Sequence, residues 1–178
     1  MTIDVSLLAQ FAAAAYRNVA TENRITAPST LGWTEIAKNP ASGTSDDPVT
    51  GFSAAAYRGP GGEIVIAYTG TNVNPPLGND WLRANAPAAL GRFSPQVEQA
   101  AQFYWDVLNS AGGAAGDKSR ITFTGHSLGG GLASLMAVFF DLPAHVFDEA
   151  PFELTARNLT VPVPLPGFDP LPESELKK

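Results

Sequence analysis

The chain has 178 residues, 44% of them hydrophobic, and a formal net charge of -6 from 17 acidic and 11 basic side chains. That length and apolar content suit one well-formed core, and the scattered Lys and Arg exclude the basic face that a nucleic-acid partner requires. No cysteine is present, which excludes disulfides, thiolate metal sites and thiol catalysis.

No apolar stretch is long enough to span a bilayer. The N-terminus, with Asp4 and no early Lys or Arg, does not read as a cleavable secretion signal, so a soluble chain is expected, cytoplasmic or exported by a non-classical route. Within Ile3 to Arg17, Leu7, Leu8, Phe11, Ala14 and Ala15 recur at helical intervals. The spacing predicts a covering helix, closed by Tyr16, whose alanines lose no side-chain entropy. Asn18 to Pro48 is polar and interrupted by Pro28, Gly32, Pro40 and Gly43. Its one apolar patch, Leu31 to Ala37, fits either an edge strand or a short helical turn.

Phe52 to Arg58 and Glu63 to Thr69 flank Gly59-Pro60-Gly61-Gly62, a turn signal that predicts an antiparallel hairpin. The second run is almost continuously apolar, the pattern of a strand buried on both faces. It ends in Tyr68-Thr69-Gly70-Thr71, where glycine lets the backbone approach a substrate closely. Asn72 to Phe93 is a long connection with Pro75, Pro76, Gly78, Pro87 and Gly91, yet it also carries Leu77, Trp81, Leu82, Leu90 and Phe93. Two readings stay open: a flap over an apolar site, with Leu77, Trp81 and Leu82 as its lid, or a satellite of core under a surface loop. Ser94 then reads as an N-cap and Pro95 as the first helical residue. Val97, Ala100, Ala101, Tyr104, Leu108 and Ala111 follow at helical spacing up to Gly112-Gly113.

The most informative stretch is Arg120 to Asp141. Ile121 and Phe123 alternate with Thr122 and Thr124 as in a strand, the chain breaks at Gly125-His126-Ser127-Leu128-Gly129, and Leu128, Leu132, Leu135, Met136 and Phe139 then recur as in a helix. A serine on a tight strand-to-helix turn is exposed, and the start of the helix points free N-H groups at developing negative charge. Ser127 is therefore the candidate nucleophile. The Leu128 N-H is the first oxyanion donor, the Gly70-Thr71 segment offers a second, and Gly125 and Gly129 are the positions where a Cβ would clash. The competing reading is a glycine-rich connection whose serine merely caps the helix. Ala144 to Ala150 predicts the next strand, and the five prolines from Pro162 to Pro172 predict an extended, mobile end over 161–178.

Tyr68-Thr69-Gly70-Thr71, Asp80-Trp81, Gly125-His126-Ser127-Leu128-Gly129-Gly130, Val146-Phe147 and Ala150-Pro151 resemble the successive motifs of class 3 lipases, from about Tyr16 to Pro151. The resemblance implies a partial α/β-hydrolase fold, with a mostly parallel central sheet and helices on both faces. It also implies hydrolysis of acylglycerol or phospholipid esters without cofactor or metal, with Thr71 as an oxyanion donor and a lid after its strand. The implied partner is an acyl ester or lipid substrate, met with interfacial contact. Thr69 stands where the family usually has arginine, and Asn85 where it has an acidic residue.

A triad also needs a base and an acid. His126 adjoins Ser127, so its side chain diverges from the serine and a packed, hydrogen-bonded role is expected; His145 opens the next strand in a buried or rim position. No histidine follows it, although α/β-hydrolases place serine, acid and histidine in that order. Asp148 and Glu149 read as strand-end charges and Asp169 as a solvated residue. The chain is thus expected to hold the nucleophile half of a lipase- or esterase-type serine hydrolase, truncated from a longer enzyme. Residues 1–160 would be its incomplete domain. The alternative is a non-catalytic lipid-binding or interaction module that keeps the framework.

Overall fold

Short runs of Ala, Ile, Val and Phe form a sheet because both faces of that sheet are covered. The computed structural model describes residues 3–16, 28–40, 47, 50–70, 95–110 and 112–149. Thr71, the 72–94 connection with Leu77, Trp81, Leu82 and Asn85, the Ser94 cap, the Ala150-Pro151 motif and the 161–178 end lie outside the described residues.

The strands are β1 (Thr34–Asn39), β2 (Ala54–Arg58), β3 (Ile64–Tyr68), β4 (Ile121–His126) and β5 (Ala144–Phe147), hydrogen-bonded in the order β1-β2-β3-β4-β5. β1 with β2 and β2 with β3 are antiparallel, while β3 with β4 and β4 with β5 are parallel, so every strand but β2 runs in one direction. The helices are α1 (Val5–Ala14), α2 (Pro95–Asn109) and α3 (Leu128–Phe140). This is the α/β architecture with helices on both faces that the class 3 resemblance implies.

The two-residue period of the strands divides the core. Ala54, Ala56, Ile64, Ile66, Tyr68, Ile121 and Phe123 pack with the buried faces of α2 and α3. Ala55, Tyr57, Val65 and Ala67 point the other way and pack with Leu8, Phe11 and Ala15 at α1 and with Trp33. Phe11 is fully buried, edge-on to Trp33 at 4.8 Å and stacked on Tyr57 at 4.9 Å. Burial of such a side chain contributes about 1.5–3 kcal/mol. All five residues of β3 are buried, as its continuous apolar run predicts.

Local chemistry sets the element ends. The hairpin turn closes with the Gly59 N-H on the Glu63 carbonyl (2.8 Å) and Gly62 at φ +85°. The Leu31 to Ala37 patch proves to be both alternatives in succession, a 3-10 turn over Pro28–Leu31 and then β1. Past α2, the Ala114 and Gly116 N-H groups bond the Val107 and Leu108 carbonyls at 3.0 and 2.7 Å, which satisfies the helix end where Gly112-Gly113 had marked it. β5 is shorter than Ala144 to Ala150, because Asp148 takes a positive φ of +47° and turns the chain out of extended geometry.

Candidate functional site

β4 runs parallel to β3 between buried layers and ends at the Gly125-His126-Ser127 break, so its last residues emerge at the edge of the core. Ser127 itself is held at φ +56°, ψ -125°. A residue with a Cβ pays about 1–3 kcal/mol for such a conformation, which persists only where its surroundings enforce it. Here the Ser127 N-H donates to the Phe147 carbonyl on β5 (3.1 Å), and its own carbonyl accepts from Gly131 N-H (3.1 Å) to begin α3. The half-buried serine side chain makes no capping hydrogen bond, so the helix-cap reading does not describe it.

The glycines two positions either side of Ser127 have no room for a Cβ. A Cβ on Gly125 would collide with the Gly129 carbonyl oxygen and lie 2.8 Å from Gly130 N. One on Gly129 would strike the Tyr68 carbonyl oxygen and lie 2.6 Å from the Thr69 carbonyl carbon. The first turn of α3 therefore presses directly on the end of β3. Since Gly131 makes the first helical bond, the N-H groups of Leu128, Gly129 and Gly130 precede it at the positive end of the helix dipole.

The end of β3 comes to the same place. A Cβ on Gly70 would stand 3.3 Å from the Ser127 Cβ and 3.1 Å from the His126 carbonyl oxygen, so Gly70 adjoins the serine and Thr71 is the next residue of the chain. Thr69, where the resembling family usually has arginine, is buried; its hydroxyl and its N-H each bond the Ser53 carbonyl at 3.0 Å. Beneath it the fully buried Tyr68 hydroxyl donates to the Ala100 carbonyl (3.0 Å). Burial, with Tyr104 nearby, raises the Tyr68 phenol well above its ordinary value of 10.0.

Tyr16, just past α1, joins these pieces and was missed as a site residue. Its hydroxyl accepts from Gly70 N-H (2.8 Å) and donates to the His126 carbonyl (3.0 Å), with the His126 Nδ1 at 3.3 Å. Its only sequence signal was an aromatic residue at the end of an apolar helix face. His126 is exposed rather than packed, and its ring turns to Tyr16, so only the hydrogen-bonded part of the expected role is found. His145 is exposed on β5, which removes the buried alternative; its carbonyl accepts from the Thr124 hydroxyl at 2.8 Å. Glu149 is exposed and accepts from the Ser134 hydroxyl at 2.5 Å, beside the Gly130 backbone.

Among the described residues no three His, Asp or Glu side chains converge as metal ligands, and no helix is long and apolar enough to cross a membrane.

The candidate lipase atg15 of Penicillium rubens is 46% identical over 52 residues, which is 29% of this chain and 8% of that protein. Lipase II from Rhizopus niveus aligns structurally with a TM-score of 0.46 and 14% identity, over 80% of this chain and 60% of that one. The chain thus spans only part of the length of these relatives. The phospholipase-like family described as the Tle-like phospholipase domain matches residues 7–160, which takes in most of α1, the whole sheet and the Ser127 turn. By that match, and in keeping with the class 3 lipase motifs, the chain belongs to the Tle-like phospholipase domain family.

Proposed function

We propose that Ser127 is the nucleophile of a serine ester hydrolase that acts on acyl esters of lipids. The observation that carries this reading is the backbone of Ser127, held at positive φ between a parallel strand and a helix with its hydroxyl spent on no cap. Its Oγ attacks the ester carbonyl carbon and gives its proton to a general base, a role that neither histidine fills, and that base returns the proton to the leaving alcohol. The tetrahedral oxyanion is received by the Leu128 N-H and by Thr71, the alcohol leaves, and water releases the acyl group from the serine. The Gly70 N-H is committed to Tyr16, so within Gly70-Thr71 the donor role falls to Thr71. The elbow glycines Gly125 and Gly129 keep strand and helix close enough to present the serine. Leu77, Trp81 and Leu82 form the apolar lid that meets the lipid surface.

The family match ending at residue 160 supports reading 1–160 as the lipase-like domain and 161–178 as a Pro-rich appendage. In this reading neither histidine is the base. His126 is engaged with Tyr16, and His145 lies exposed near the start of β5.

The test is hydrolysis of short- and long-chain p-nitrophenyl esters, together with labelling by a fluorophosphonate probe, for this chain and for Ser127→Ala. Labelling that disappears in Ser127→Ala supports the nucleophile assignment. Equal labelling of both proteins, or none, sinks it, and a retained fatty-acyl ligand in an unlabelled protein would instead identify a lipid-binding module.

A further inference from the structure

We propose that Tyr16 is a positioning residue: its hydroxyl ties the end of β3 to the end of β4 and so fixes the distance between the oxyanion segment and Ser127. The proposal rests on the hydrolase reading above and goes beyond it, because Tyr16 bears none of the reacting groups.

β3 and β4 are in register up to Tyr68 opposite Gly125. Beyond that pair β3 and β4 have no further partners in each other: Thr69 N-H bonds the Ser53 carbonyl on one side, while His126 pairs with Phe147 on the other. Gly70 nevertheless remains beside the serine. What occupies the gap is the Tyr16 hydroxyl, which accepts from Gly70 N-H at 2.8 Å and donates to the His126 carbonyl at 3.0 Å. One hydroxyl thus replaces a missing rung of the sheet, and it lies so close that a Cβ on Gly70 would collide with it.

A hydroxyl has one proton and two lone pairs, so Tyr16 gives its proton to the His126 carbonyl and takes the Gly70 N-H at the same time, with the His126 Nδ1 at 3.3 Å. Because Tyr16 follows α1, the bridge also links this end of the site to the helix that seals the opposite face of the sheet. A group displaced by as little as 1 Å can cost up to 10²-fold in rate, so an anchor of this kind has leverage on the chemical step without touching substrate.

Tyr16→Phe removes the hydroxyl and keeps the ring. In the full chain, amide exchange at Gly70 is expected to accelerate about tenfold or more, while exchange in the centre of β3 and the urea midpoint of global unfolding stay near those of the wild type. Fluorophosphonate labelling is expected to lose about tenfold in its inactivation step with reversible probe binding unchanged, a split that general loosening of the fold would not produce. Unchanged Gly70 exchange overturns the bridge. Unchanged labelling of a Ser127-reactive protein overturns its catalytic purpose and leaves the hydrolase reading standing, whereas a wild type without Ser127-dependent labelling overturns both.

Discussion

Ser127 is a serine in a backbone conformation that suits glycine better. Ser127→Gly is therefore expected to abolish probe labelling yet to raise stability by about 1 kcal/mol, the relief of the positive φ outweighing the added unfolded-state freedom. A urea denaturation series checks it, and an unchanged or lowered midpoint would mean that the turn is not strained. Gly129→Ala should do the opposite. Its Cβ meets the Tyr68 carbonyl, a backbone atom that cannot swing aside, and a cost of about 3 kcal/mol is expected in the same assay. Ser127, Gly125 and Gly129 were legible in the sequence because a strand-to-helix turn is a local object, written in five consecutive residues. Tyr16 was not legible as part of it: its partner His126 lies 110 positions away, and only the folded chain brings a helix end and two strand ends to one hydroxyl.

At the scale of elements, the ends carry the titratable groups. Asp4 caps α1 by accepting from the Ser6 N-H at 2.8 Å, and the hydrogen bond from the Ser6 hydroxyl, followed by that from its N-H, holds the exposed carboxyl below its ordinary 3.8. A lowered carboxylate contributes stability above its unfolded value and loses it as pH falls through the folded one. Asp4→Ala should thus destabilise at neutral pH by an amount that shrinks in acid below about pH 3.8, as thermal midpoints taken against pH will show. Tyr68 has the reverse sign. Its raised phenol favours folding below pH 10.0, and that contribution declines as alkali first ionises the unfolded chain. Tyr68→Phe should flatten the alkaline loss and cost about 1 kcal/mol at neutral pH for the hydrogen bond to Ala100. The apolar β3, the hairpin turn and the three helices could be read from local runs, turn residues and helical spacing. The end of β5 could not, since the turn at Asp148 is made by an ordinary aspartate taking a positive φ, with no glycine or proline to announce it.

For the whole molecule, the described elements form a sheet with α2 and α3 on one face and α1 on the other. Phe11 is the centre of the α1 face, and Phe11→Ala is expected to cost about 3–5 kcal/mol. Tyr16 follows the same helix, so probe labelling of Ser127 should fall together with the denaturation midpoint. A destabilised protein that still labels at the wild-type rate would separate the two faces. The class of fold was implied by the motif resemblance, and Ser127 as the proposed nucleophile by the strand-turn-helix pattern around it. The division of the apolar residues between two core layers became definite only with strand order, because period-2 alternation says which residues share a face and not which helix covers it.

Strand order in the sheet repeats strand order in the chain, and this has a bearing on folding. Arg58 meets Ile64 across a short turn, but Ile64 meets Ile121 only after a long excursion of chain has been closed. Loop-closure entropy favours the first junction, so the β1-β2-β3 meander is expected to form early as a local nucleus, and the parallel junction of β3 with β4 to zip up late. Ser127 stands at the end of that late junction. Transient opening there would dismantle the candidate site while the meander persists, making the Ser127 turn among the first parts of the sheet to be lost and the last to be regained.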